Sequence, residues 1–270
     1  MFRFYDYRPH VIAERNARAK RVAVRLGLAT KEGLKSGAER LPENLCQEVA
    51  ARERELASEA LILFIKAIRR GQSVFFITVC RPEWTCGAGE LSEAHVRSVR
   101  DYISRRARRL SGFGQQRLLG FVDIAWNDRR AIGGESHWNV HTHFLLIVEA
   151  GGASEEDVRN AFFCCGDGDR VIRPVVIKRP PTDLDVVKLG EYNSRALVLE
   201  HHQGRRSYVD REGRLATRDT PLNVAQLNEF AQLMHDLGPQ RFWVLSGLRR
   251  KHGRIQRHDA RGGKALGGVK

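Results

Sequence analysis

The stretch from Trp138 to Val148, reading Trp-Asn-Val-His-Thr-His-Phe-Leu-Leu-Ile-Val, constrains this chain more than any other. Its aromatic and β-branched content is that of a strand, and successive side chains of a strand point to opposite faces. Trp138, Val140, Phe144, Leu146 and Val148 therefore share one face, and His141 and His143 share the other. One face reads as core; the other can hold a metal ion.

The rest of the pattern predicts an α+β protein. At 270 residues and 42% hydrophobic content, the chain can bury one good-sized core with extensions. Residues 1–72 read as a helical N-terminal extension, dominated by a helix over 48–68 that stops at Gly71 after Arg69 and Arg70. Residues 73–200 read β-α-β-β-α-β plus one helix, the order of a ferredoxin-like domain. Its strands are expected over 73–80, 118–126, 138–148 and 171–178, the last with Pro174 marking an edge or bulge. Helices are expected over 91–110 and from Ser154, where Asp157 completes a capping box and Val158, Ala161, Phe162 and Cys165 form one face before Gly166. A further helix follows Pro180 and Pro181, from Asp183 to Leu199. Such a sheet is expected to pack its helices on one face and leave the other open. Residues 201–270 read as a hairpin turning at Glu212-Gly213, a helix opening at Thr220-Pro221, and a basic C-terminal tail.

The formal charge of +14 points to a polyanionic partner, nucleic acid being the commonest. Arg241, Arg249, Arg250, Lys251, Arg254, Arg257, Arg261, Lys264 and Lys270 face a single Asp259 near the end of the chain. Gly262, Gly263, Gly267 and Gly268 loosen it, so a flexible phosphate-binding tail is expected. Arg105, Arg106, Arg108 and Arg109 close a helix, where they suit either DNA or the helix dipole. Cys46, Cys80, Cys86, Cys164 and Cys165 are odd in number and lack CxxC spacing, which argues against a disulfide framework and for a reducing compartment. No apolar run is long enough to span a bilayer and the N-terminus has no signal-type apolar region, so a cytosolic protein without a membrane partner is expected.

Two imidazoles and a carboxylate can hold a divalent ion and leave positions open for substrate oxygens. Asp123 sits mid-strand in Phe-Val-Asp-Ile-Ala, where an apolar residue belongs, and a hairpin would bring it beside His141 and His143. His137 and Glu135 are alternative third ligands, and a pair of solvent-facing strand histidines is the alternative to a metal site. Tyr192 lies on the helix that follows, with Lys188 at i−4 and Arg195 at i+3 on its face. Flanking cations would lower the phenol from its ordinary pKa of ~10 and favour the nucleophilic phenolate. On its own, this tyrosine would read as an ordinary amphipathic-helix residue.

Taken together, these motifs resemble the HUH endonucleases, in particular the rolling-circle replication initiators (Rep proteins) of plasmids. The resemblance covers about residues 73–199. Phe75 to Val79 is similar to the family's first motif, a strand ending in Thr. Trp138 to Leu146 is similar to its metal-binding motif, and Glu191-Tyr192-Asn193-Ser194-Arg195 to its Tyr-x-x-Lys motif. Thr142 stands at a usually hydrophobic position, Arg195 replaces the usual lysine, and Asn139 stands where many initiators have another histidine. Arg195 keeps the charge, although a guanidinium is not equivalent to an ammonium in proton transfer.

The resemblance implies Mg²⁺ or Mn²⁺ on His141, His143 and Asp123, with Tyr192 attacking a scissile phosphate of single-stranded DNA or an origin hairpin. It implies Lys188, Arg195 and Glu191 around that tyrosine, and Arg105, Arg106, Arg249, Arg250, Lys251, Arg254 and Arg257 on the DNA. A second cut would need another protomer, water activated by Glu191, or a tyrosine such as Tyr208. The host helicase and replication machinery would be partners. A single-strand transposase or mobilisation relaxase shares this chemistry, and a non-catalytic nucleic-acid binder would instead display aromatics on its sheet.

Overall fold

The computed structural model describes residues 9–110, 116–163, 175–197, 203–252 and 254–257. The helices are α1 (Pro9–Arg25), α2 (Lys31–Ser36), α3 (Gln47–Arg69), α4 (Glu93–Arg109), α5 (Glu155–Phe162), α6 (Asp183–Ser194) and α7 (Val224–Leu237). The strands are β1 (Ser73–Cys86), β2 (Arg117–Asp128), β3 (His137–Val148), β4 (Val175–Lys178), β5 (Gln203–Val209), β6 (Leu215–Pro221), β7 (Trp243–Ser246), β8 (Leu248–Lys251) and β9 (Arg254–Arg257). The protein is α+β. A seven-stranded sheet runs β4-β1-β3-β2-β5-β6, with β7 also beside β2, and β8 and β9 form a separate ribbon.

Neighbours among β1 to β4 are all antiparallel, and β5 joins the edge of β2 in parallel. Local chemistry sets most element ends. Ser154 and Asp157 close the expected capping box of α5, and the Thr182 hydroxyl accepts the Asp185 backbone N–H at the start of α6. Helix α7 begins at Val224 rather than at Thr220-Pro221, because Asn223 and Gln226 cap each other's backbone and Pro221 is still the last residue of β6. Strand β1 outlasts its predicted end at Cys80: after a register shift it resumes pairing at Thr85. Helix α6 stops at Ser194, and Arg195–Leu197 tighten into a 3₁₀ turn. Cys164, Cys165, Gly166, Pro174, Leu199 and the chain beyond Arg257 lie outside the described residues.

The even-numbered side chains of β3 pack as expected: Phe144 meets Phe162 of α5 with ring centroids 5.0 Å apart, and α4 lies on the same face. The opposite face is not open. Leu145 and Ile147 continue the row begun by His141 and His143, and both are fully buried under α3 and α6. An apolar row of this kind needs cover, and α3 supplies it with Leu61, Phe64 and Ile65 in the same core cluster. Helices α3 and α6 come close because Gly190 leaves room: a Cβ there would stand 2.3 Å from Cδ1 of Leu61. The Arg54 guanidinium also donates to the Ser194 hydroxyl across the helix pair at 3.3 Å.

The basic C-terminal stretch departs from the expected loose tail at least as far as Arg257. Strand β7 adds to the sheet, its Trp243 ring 4.7 Å from that of Phe121. Strands β8 and β9 then pair residue for residue. Among the described residues, no helix is long and apolar enough to cross a membrane.

Candidate metal centre and the tyrosine beside it

Pairing between β2 and β3 sets Asp123 directly across from His141, and pairing between β1 and β3 sets Thr78 across from His143. These four positions share the face covered by α6. The Nε2 atoms of His141 and His143 lie 3.5 and 3.6 Å from Oδ2 of Asp123. Ligand atoms of the three residues lie within 4.8 Å of one another, and the group could hold a metal ion.

Protonation states sharpen this. Nδ1 of His141 lies 3.3 Å from the Asn139 carbonyl oxygen, which can only accept, so Nδ1 carries the hydrogen. Burial drives the His141 pKa down to about 4, so the ring is neutral near pH 7 and its Nε2 is a bare lone pair. That lone pair faces the Asp123 carboxylate, an acceptor facing an acceptor. At His143, Nδ1 is bonded to the Thr78 hydroxyl at 2.8 Å, and the buried Nε2 has no hydrogen-bond partner. A cation placed among these atoms would satisfy all of them, and the Asn139 and Thr78 contacts are of the kind that orient histidines able to ligate a metal. Oδ1 of Asp123 accepts the Ile124 N–H at 2.8 Å, which orients the carboxylate.

Other candidates fall outside this group. His137 is bonded through Nδ1 to the Glu135 carbonyl and through Nε2 to Asn127, and neither His137 nor Glu135 belongs to the cluster. Cys80 stands across from His141, but burial pushes its thiol up to about 11, so it offers no thiolate.

Tyr192 reaches the cluster from α6. Its ring lies edge-on to His143 with centroids 5.1 Å apart, and Phe76, stacked on His143 at 5.8 Å, meets Tyr192 at 6.3 Å. Phe76 thus wedges both rings, a role its place in an apolar strand does not announce. Tyr192 is 38% exposed, whereas His143 is 6% exposed, so the phenol lies at the rim and the imidazole in the wall. Its pKa is raised, against the expectation of a lowered one: burial dominates, Asp123 adds to it, and Arg205 and Arg195 pull the other way. The Arg195 guanidinium is 5.9 Å from the Tyr192 ring centroid; Lys188 is exposed, and Glu191 is half-buried on the same helix.

Arg205 was not legible as part of this site. It lies on β5, across from Asn127 of β2 and 3.9 Å from Asp219, and its charge is felt by Tyr192, His141 and Cys80. The parallel pairing that brings it there has no local sequence signal. Tyr208, also on β5, has the Arg218 guanidinium 5.8 Å from its ring.

The expected DNA contacts divide. Arg105, Arg249, Lys251, Arg254 and Arg257 are exposed. Arg106 lies 5.0 Å from the Tyr102 ring. Arg250 is committed inward: its two terminal nitrogens each reach a carboxylate oxygen of buried Glu53 at 2.7 Å, and Glu53 also accepts the Trp243 indole N–H at 2.9 Å. Compared with known proteins, the chain matches no family model, no curated protein and no solved structure.

Proposed function

We propose that this protein is a DNA strand-transfer nuclease of the HUH type that nicks single-stranded DNA through Tyr192 and initiates rolling-circle replication. The observation that carries this reading is the meeting of the Tyr192 ring with His143, 5.1 Å apart, in a group able to hold a metal ion. The β4-β1-β3-β2 antiparallel order, with α4 and α5 on one face, agrees with the ferredoxin-like palm that the reading requires.

Asp123, His141 and His143 would hold the divalent ion, Mg²⁺ or Mn²⁺, which when bound supplies Lewis-acid polarisation of the scissile phosphate. The chain's own residues do the rest. The Tyr192 oxygen forms a bond to phosphorus in line with the departing 3′ oxygen. The P–O3′ bond breaks, the DNA 5′ phosphate stays on the tyrosine, and the proton lost from the phenol is matched by one gained at the 3′ oxygen. Arg195 and Arg205 favour the phenolate and offer guanidinium groups to the phosphate. Phe76 and Thr78 hold the His143 ring in place. Because the ester keeps the energy of the broken bond, a 3′ hydroxyl can attack it and rejoin the strand.

Incubation with end-labelled single-stranded DNA and Mn²⁺ tests this. Wild type is expected to give an adduct that survives denaturation, and Tyr192→Phe none. His143→Ala should lose cleavage at least about a hundredfold while keeping most DNA affinity, which comes largely from surface charge. An undiminished adduct in Tyr192→Phe contradicts the proposal.

A further inference from the structure

The β8–β9 ribbon has two chemically different faces. Cross-strand pairing sets Leu248 opposite Arg257 and Arg250 opposite Ile255, while Arg249 faces Gln256 and Lys251 faces Arg254. Alternation of side chains puts the first two pairs on one side and the last two on the other. The first side is the anchor: Leu248 is buried, Ile255 packs against the main core, and Arg250, partly exposed, is clamped to Glu53 of α3, while Arg257 at the ribbon's end is exposed. Glu53 in turn holds Trp243 of β7, so the ribbon is bolted to the sheet edge through charge-assisted bonds. The second side carries Arg249, Lys251, Arg254 and Gln256, all exposed. His252 takes a positive φ of 49° in the turn between the strands.

We propose that this ribbon is a duplex-reading element that lays its outer face into the major groove of double-stranded DNA. The inference rests on the reading of the chain as a DNA-processing enzyme. A two-stranded ribbon, with strands about 4.8 Å apart, enters a major groove about 12 Å wide. Arginine and glutamine are the side chains that pair bidentately with guanine and adenine edges, and lysine reaches phosphate or guanine. The narrow, deep major groove of A-form RNA does not admit such side chains. An anionic membrane surface would call for apolar residues among the cations, and the outer face presents none. A nuclease that opens one strand at a particular place must also hold the flanking duplex, and a paired ribbon anchored on α3 and β7 can do so where a loose tail could not.

The test uses the full-length triple variant Arg249→Ala/Lys251→Ala/Arg254→Ala. Binding to a short DNA duplex at physiological salt should weaken at least about tenfold, and the slope of log affinity against log salt should shrink by about 2 to 3. Adduct formation by wild-type protein on single-stranded DNA is scored separately, so failure of the ribbon and failure of the tyrosine chemistry are separately visible. On wild-type protein, duplex DNA should shield Lys251 from acetylation, a readout independent of how the variant folds. Unchanged duplex affinity in the triple variant, or full acetylation of Lys251 in the duplex complex, overturns the proposal. So does tighter ribbon-dependent binding to duplex RNA or to anionic vesicles.

Discussion

A neutral imidazole lone pair aimed at a carboxylate is a poor contact, and the His141 and Asp123 side chains hold one at 3.5 Å. Their energetics are therefore tied to pH and to cations. The folded His141 pKa of about 4 lies below the ordinary 6.5, so between these values the unfolded chain binds a proton that the folded chain does not. Stability of the metal-free protein should accordingly fall as pH drops from 6.5 toward 4, by about 3 kcal/mol from this residue. Urea unfolding at about pH 7 and pH 5 checks it: His141→Gln should flatten the difference, and an unaltered difference would contradict the account. At this scale the sequence was informative. Two histidines at period two and an acid in the middle of an apolar strand are anomalies that folding must accommodate, and β-sheet pairing brings them together. Phe76 and Arg205 carry no such anomaly, since an aromatic in a strand and a cation in a hairpin are what those elements ordinarily contain. The Tyr192 phenol was misjudged because cations along a helix are visible in sequence and the burial that outweighs them is not.

Between elements, small contacts place large ones. Gly190 lets α6 lie against Leu61 of α3, two residues before the tyrosine that α6 delivers. Gly190→Ala should cost about 1 to 3 kcal/mol and displace Tyr192 from His143, lowering single-strand cleavage; Leu61→Ala in the same chain should restore part of both. Thermal denaturation and adduct yield measure the pair, and strictly additive effects would show that the two helices do not meet there. Arg250 gives the second comparison. Arg250→Ala leaves buried Glu53 without its counter-charge and should destabilise by about 3 kcal/mol. Its neighbour Arg249→Ala should stay within about 0.5 kcal/mol. Equal losses would mean that the ribbon's two faces are not distinct. Helices α4 and α5 were legible from their apolar spacing and, in α5, from its capping box. The β8–β9 pairing was hidden by its composition, because a basic, glycine-bounded run reads as a tail until Glu53, far away in sequence, gives Arg250 a reason to turn inward.

At the level of the whole molecule, one hydrophobic cluster includes Val22 of α1, Leu61 of α3, Phe144 of β3 and Val244 of β7. The order of the central elements could be read because each has its own periodicity. The cover that α3 and α6 place over the histidine face could not, since nothing in a helix sequence says which sheet it will meet. That cover recasts the site as a rim: the histidines are walled in, while Tyr192, Arg195 and Arg205 stand exposed at the edge. On the proposed reading, the charge of +14 would supply attraction for the polyanion, and the ribbon a fixed grip. The account stands on one covalent bond. Protease digestion of the trapped protein–DNA adduct, followed by mass spectrometry of the nucleotide-bearing peptide, locates it directly. The predicted result is a 5′ phosphate esterified to Tyr192; a nucleotide on Tyr208 or on any other residue would contradict it.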